Sequence, residues 1–381
     1  MLVTSYKEGE LMKNSILSLI IFAICIIITS CITVPTEPDE TTNNELNTSQ
    51  PTGSIPTVLP VIVDEITDDN AAIQWVEPAL EALMRQELDK PEGDLFPSDL
   101  DHIRTFRLIG DTHIAINYNF GSRLDVHEFD DKGMPLKDGI YELDGEQYTR
   151  GSISSLADFA NFRNISDLQV LKNDLRDLRG LSSLEKLKFL RLLDCSIQSI
   201  YDLAELHQID TLDISSNQIT DIAPLGNLEK LSMASLSNNN IDNLDILSSL
   251  ANLQSIHVAY NPIESIDFIR TLKELTTINI SGTKVEDISI LAEKTSLQVL
   301  LLKDMDVKCV DLATLTTLKK LHGLSVSQNQ AELLNKQVIG EFKELVLLEI
   351  PLNDLSISEE DIAWLREQLP HCQINPTFDL Q

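Results

Sequence analysis

Residues 207–228 read HQIDTLDISSNQITDIAPLGNL. The apolar side chains are Ile209, Leu212, Ile214, Ile219, Ile222, Leu225 and Leu228. A helix repeats its apolar residues every three to four positions, and a half-buried strand alternates them. This stretch does each in turn. Leu212 and Ile214 are two apart, and from Ile219 onward the interval is three. The pattern asks for a short strand that bites into a core, a bend at Asn217, and a looser return along another side.

The pattern recurs when the window moves by 22 residues. EKLKFLRLLDCSIQSIYDLAEL (185–206), EKLSMASLSNNNIDNLDILSSL (229–250), ANLQSIHVAYNPIESIDFIRTL (251–272) and KELTTINISGTKVEDISILAEK (273–294) share the frame, as does RNISDLQVLKNDLRDLRGLSSL (163–184) upstream. Positions 3, 6, 8, 13, 16, 19 and 22 are apolar with few exceptions. Position 11 is Asn173, Asn217, Asn239 and Asn261, with Cys195 and Thr283 as departures. After 294 the period lengthens to 24 over 295–318 and 319–342, and 343 onward forms a terminal unit.

This pattern resembles the leucine-rich repeat, L-x-x-L-x-L-x-x-N/C-x-L. The 22-residue length and the N-x-I-x-D-I-x-x-L phrase resemble the bacterial internalin-like class, over residues 163 to about 375. The resemblance implies an α/β solenoid, a horseshoe with a parallel sheet on its concave face and 3₁₀ or extended pieces on its convex side. The physics agrees. Positions 6 and 8 flank one outward residue on a strand, so both point into the core. The Asn at position 11 turns the chain, and its amide satisfies backbone groups in the bend. One unit buries too little to offset the entropy of ordering it, so units must stack.

The ends of the array need caps. GSISSLADFANF (151–162) puts Ile153, Leu156, Phe159 and Phe162 in the last four apolar columns, a half-unit. Residues 76–103 place Leu80, Leu83, Met84 and Leu88 on one helical face and resemble the N-terminal helical cap of many bacterial leucine-rich repeats. SEEDIAWLREQLPHCQI (358–374) predicts a C-terminal capping helix with Ile362, Leu365 and Leu369 inward and Pro370 ending it. Between cap and repeats, about 104–150, THIAINYNF, RLDVHEFD and GIYELDGEQY predict a small antiparallel β insertion. The segment FDDKGMPLKDGIYELDGEQY faintly resembles a choline- or glucan-binding repeat, although Ile140 and Gln147 stand where that family carries Trp.

The first thirty residues predict targeting, not fold. MKNSILSLIIFAICIIITSC starts at Met12 with Lys13, runs apolar from Ile16 to Ile28, and closes on Ile28-Thr29-Ser30-Cys31. That is the layout of a secretory signal, and its last four residues resemble a bacterial lipobox. The resemblance implies a diacylated Cys31 as the mature N-terminus; two acyl chains make a stable anchor. The competing reading is a transmembrane helix from Ile16 to Val34. Lys7-Glu8-Gly9-Glu10 is compatible with a translated ribosome-binding site, so synthesis is expected to start at Met12. Residues 32–57 are rich in Thr, Pro, Asn and Glu and read as a disordered stalk. The expected organisation is a signal peptide over 1–30, lipidated Cys31 and stalk over 31–58, cap helix plus β insertion over 59–150, and repeats with their C-terminal cap over 151–381. The expected location is extracytoplasmic, membrane-anchored at the cell surface.

The chain has 381 residues and a formal charge of −31. Such acidity opposes nucleic acid, whose binders need a basic face, and adsorption to anionic lipid through protein charge. Cys195, Cys309 and Cys372 are odd in number and scattered, which is not a disulfide framework. No Cys/His cluster suits zinc, the acidic turns lack an EF-hand pattern, and no catalytic motif stands out. Neither metal nor cofactor is expected, nor an enzyme. His207, His257 and His322 read as surface histidines.

What remains is the concave ribbon, at positions 5, 7 and 9 of each unit. Its candidate partner-binding residues are Leu171, Phe189, Arg191, Leu193, Asp213, His257, Val299 and Leu301, with Tyr260 at the strand edge. Apolar residues facing solvent invite a partner, and aromatic and Arg side chains anchor binding hot spots. The reading is a secreted lipoprotein whose repeat arc recognises a protein. The alternative is an envelope scaffold touching wall glycan through the 104–150 insertion.

Overall fold

The computed structural model describes residues 71–111, 113–117, 126–127, 140–143, 146–305, 312–326, 336–350 and 358–375. Cys31, the signal and the stalk lie outside the described residues, as does Cys309. No described helix is long and apolar enough to cross a membrane.

Each unit forms the elements its rhythm predicts. In the unit 207–228, Thr211–Asp213 is a strand and Ala223–Asn227 a 3₁₀ turn. All seven apolar columns of that unit are at most 2% exposed. Thr211 pairs with Met233, Met233 with Ser255, and Ser255 with Thr277, all in parallel. The 22-residue sequence frame is therefore the register of the sheet. Strands β6 (Asp167–Leu171) and β7 (Phe189–Leu193) through β15 (Gln373–Asn375) continue this ladder within one twelve-stranded sheet. The sheet stays open, and short 3₁₀ turns line its other side. This is the leucine-rich-repeat solenoid that the spacing predicted.

Two backbone features recur at the bend. Position 10 is left-handed in unit after unit, at Lys172 (φ 61), Asp194 (51), Ser216 (56), Asn238 (55), Tyr260 (52) and Asp304 (53). Position 15 carries a short polar side chain. Asp177, Asp221, Asn243, Ser265 and Asp287 each accept a hydrogen bond from the N–H two residues on, at the start of the 3₁₀ turn. These Asx- and Ser-type turns satisfy donors that the turn leaves open.

At the N-terminal end, α1 (Pro78–Glu87) buries Leu80 and Met84, while Leu83 and Leu88 pack partly against the core. The join is reciprocal. The Asp158 carboxylate accepts the N–H groups of Val76 and Glu77 at 2.8 and 2.9 Å. Glu77 Oε1 accepts those of Ser154 and Ser155 at 2.8 and 2.7 Å. At the other end, Glu359–Gln368 is a helix with a capping box between Ser358 and Asp361. It turns Ile362 and Leu365 inward, and Leu369, just past it, is 2% exposed.

The segment 104–150 contains the expected antiparallel insertion, but its first strand belongs to the repeat array. Strand β1 (Thr105–Ile109) lies parallel to β6, with Thr105 opposite Asp167. It therefore occupies the strand positions of a repeat. Ile103, Phe106 and Leu108 fill columns 3, 6 and 8 and are 0% exposed. Gly110 falls at position 10 and is left-handed (φ 58) like its counterparts. Ile153, Leu156, Phe159 and Phe162 supply the remaining columns, all 0% exposed. Phe106 meets Phe159 edge-on at 5.2 Å between ring centroids. Residues 101–111 and 152–162 thus compose one unit, and the chain between them is inserted at its bend. Strand β2 (His113–Ile116) turns back antiparallel on β1 at the sheet edge. Among the described residues, Val126–His127, Ile140–Leu143 and Glu146–Thr149 form a separate antiparallel sheet.

Candidate functional site

Two registers run across the sheet side by side. Position 6 faces the core and is apolar on every strand from Phe106 to Leu348, never more than 2% exposed. Position 7 faces the concave side and reads Arg107, Gln169, Arg191, Asp213, Ser235, His257, Asn279, Leu301, Ser325, Glu349. The first row repeats, and the second does not.

Neighbours in the concave register engage one another. Arg107 Nε donates to Gln169 Oε1 at 3.3 Å. Arg191 Nε donates to Asp213 Oδ2 at 2.8 Å, and the Arg191 guanidinium lies 6.0 Å from the Phe189 ring centroid. Asp213 also accepts the Ser215 N–H at 3.1 Å. The Ser215 and Ser235 hydroxyls meet at 2.7 Å, and Ser255 Oγ meets His257 Nε2 at 3.0 Å. Burial pushes the His257 imidazole down to about 4, so it is neutral at pH 7. Ser237 Oγ and His257 Nδ1 are buried and make no hydrogen bond among the described residues. The Ser255–His257 contact is not a catalytic pair by geometry. The Asp213 carboxylate is taken up by Arg191, and no acid orients Nδ1.

The structure corrects several expectations about this ribbon. Leu171, Leu193, Val299 and Leu301 were expected to offer apolar surface, yet they are 0%, 3%, 2% and 8% exposed. His257, expected at the surface, is 0% exposed. Strands lie only about 4.8 Å apart, so outward side chains shoulder against those on both neighbours. Arg191 and Asp213 are buried against each other rather than presented singly. Phe189 and Tyr260 are half-buried. The surface left to a partner is a pair of rims: Phe189, Thr211 and Met233 where strands begin, and Ser216, Asn238, Tyr260 and Lys303 where they end. His207 is exposed and His322 half-buried.

The asparagines form the inner wall of the bend. Asn217 Nδ2 donates to the carbonyls of Leu192, Ile214 and Ser215, and its Oδ1 accepts from Cys195 and Ile197 N–H. Asn239 and Asn261 repeat this, accepting from Ile219 and Ile241 respectively. Asn173 donates to Gly110 and Leu171 carbonyls. At the first departure, the Cys195 thiol, raised to about 12 by burial, points at the Val170 and Leu193 carbonyls instead.

Sequence reasoning passed over an ionic cluster at the base of the insertion. Arg150 donates to the Asn173 and Asp194 carbonyls and pairs with the Asp174 and Asp194 carboxylates. Lys172, 1% exposed, pairs with Asp194 at 2.8 Å. Burial alone raises the Asp194 carboxyl, but Lys172 and Arg150 outweigh it and hold the group below its ordinary value. The signal was Lys and Asp at successive position-10 sites; nothing local ties them to Arg150.

An open, mostly parallel sheet with one constant apolar register and one variable register is the leucine-rich-repeat fold. The comparisons agree: residues 251–293 match the family model described as Leucine Rich repeats (2 copies). Internalin C2 from Listeria monocytogenes is 25% identical over 65% of this chain and 92% of its own, with a TM-score of 0.50. An internalin (inlF) from the same organism is 20% identical over 78% of this chain and 88% of its own, with a TM-score of 0.55. No curated protein matches the chain.

Proposed function

We propose that this protein is an internalin-like recognition module, held outside the cytoplasm by diacylglycerol on Cys31, that binds a protein partner along its concave ribbon. The contrast between the two registers carries the reading. Folding requires apolar constancy at position 6, and it obtains it. Stacking places no such demand on position 7, where nine polar residues and Leu301 follow no repeat. That row shapes the floor of the ribbon, and a partner meets the half-buried rims beside it, Phe189, Thr211 and Met233 on one side and Ser216, Asn238, Tyr260 and Lys303 on the other. The apolar run from Ile16 to Ile28 and the Thr-Ser-Cys ending at Cys31 support a secreted, tethered protein.

Two measurements test the reading. A photo-crosslinking residue at Phe189 or Tyr260, in cells carrying the full-length protein, is expected to trap one discrete partner. The same residue at exposed Glu229 is expected to trap none. Equal capture at all three positions would reject the concave ribbon. Cys31→Ala is expected to move the protein from the membrane fraction to the soluble one; retention would reject the lipid anchor.

A further inference from the structure

A trough runs along the flank of the solenoid, where the bend passes into the 3₁₀ side. One cavity of about 610 Å³ is lined by residues including Asp174, Ser196, Gln198, Asp202 and Gln218. A second, of about 480 Å³, also contains Gln198 and Gln218 and continues to Asn240. The shared glutamines make the two cavities one channel across successive units. Each is the size of a small-ligand site.

Its lining is polar in a particular way. Ser196 Oγ donates to Asp174 Oδ1 at 2.7 Å, and Gln198 Nε2 donates to Gln218 Oε1 at 3.0 Å. The Gln–Gln bond uses one donor of one amide and the acceptor of the other. Whichever way the amides are turned, one carbonyl oxygen and one NH₂ remain unmatched among the described residues. Next in the chain to Asp202 stands Tyr201, 68% exposed, its hydroxyl 3.2 Å from Asp221 Oδ2.

We propose that this trough binds an extended, neutral, β-linked oligosaccharide. A sugar hydroxyl is both donor and acceptor, and so is a side-chain amide. The trough crosses successive units from Asp174 to Asn240, which suits an extended chain of sugar rings. Tyr201 supplies an apolar face with a polar tip for a ring to lie on. Asp174 and Asp202 share the lining with Arg176, and Arg150 pairs with Asp174, so the trough carries little net charge and suits a neutral polymer. An extended peptide is the competing occupant. Peptides bound by strand addition, as helices or as polyproline segments use an open strand edge or an apolar groove. The trough lies off the strands, and Leu175, Leu178 and Ile197 beneath it are 3%, 3% and 2% exposed.

The test is isothermal titration of chitohexaose into the full-length protein in detergent. Saturable binding is expected. Gln198→Ala with Gln218→Ala, and separately Tyr201→Ala, should each weaken it by about tenfold or more, while Phe189→Ala on the concave face leaves it unchanged. These trough side chains are exposed, and unchanged thermal melting of each variant confirms that it is folded. No saturable binding by the unaltered protein, or trough variants that bind as tightly as the unaltered protein, would overturn the proposal.

Discussion

Gly151 packs directly on Gly110: a Cβ built on Gly151 would stand 2.3 Å from the Gly110 carbonyl carbon and 2.5 Å from Asp111 N. The two glycines are the neck of the inserted segment. One strand of chain leaves the first unit at Gly110 and the other re-enters it at Gly151. Only the absence of side chains lets them pass at backbone contact, with Asn173 Oδ1 also 2.3 Å from that Cβ position.

Gly151→Ala should therefore destabilise the N-terminal units by about 1–3 kcal/mol, the usual range for overpacking. Chemical denaturation checks the magnitude. Limited proteolysis should show earlier cutting near the neck, with the later repeats still protected, because stacked units interact mainly with their neighbours.

Asp213→Ala leaves the Arg191 guanidinium 8% exposed and without its 2.8 Å partner. Breaking a buried pair from one side costs about 3–5 kcal/mol, whereas replacing both partners by apolar residues is often neutral. Arg191→Leu with Asp213→Leu should recover most of the loss in denaturant melts. A double variant as unstable as Asp213→Ala would show that the pair does not behave as a unit.

Asn239→Ala removes a side chain that holds the Ile219 N–H and three carbonyls across two units. An unsatisfied buried group costs about 1–3 kcal/mol, and at least that loss is expected in equilibrium unfolding. Hydrogen exchange should show the Ile219 amide losing protection first.

His257 predicts a pH dependence. Its folded pKa, about 4, lies below the ordinary value of 6.5 because burial disfavours the cation. The unfolded chain binds the proton first as pH falls. The neutral-state stability is thus complete above pH 6.5 and is lost between about 6.5 and 4, at no more than about 1.4 kcal/mol per pH unit. His257→Gln should flatten this slope between pH 7 and 5. An unchanged slope in the variant would assign the dependence to other groups.

Much of the fold was legible because stacking makes it local. Every 22 residues the same apolar columns recur, and each column has one fate, so the frame of Leu212 and Ile214 gave the register of Thr211 on Met233. The Asn column was legible for the same reason. The capping side chains at position 15 were present in the repeating phrase, but their role needed the 3₁₀ turn to be seen. The concave ribbon was legible as a set of positions and misjudged in exposure. Alternation says that Val299 points away from the core; it does not say how closely Leu301, Ser281 and the next strand crowd it.

By itself the sequence determined the repeat, its period, its inward columns and the need for caps, since all of these follow from apolar residues within one or two turns of chain. Tertiary structure decided that Thr105–Ile109 is a repeat strand, that Gly110 meets Gly151, and that Arg191 finds Asp213. Those relations join residues whose separation no local periodicity encodes. They are fixed by which surfaces remain to be buried once the units have stacked.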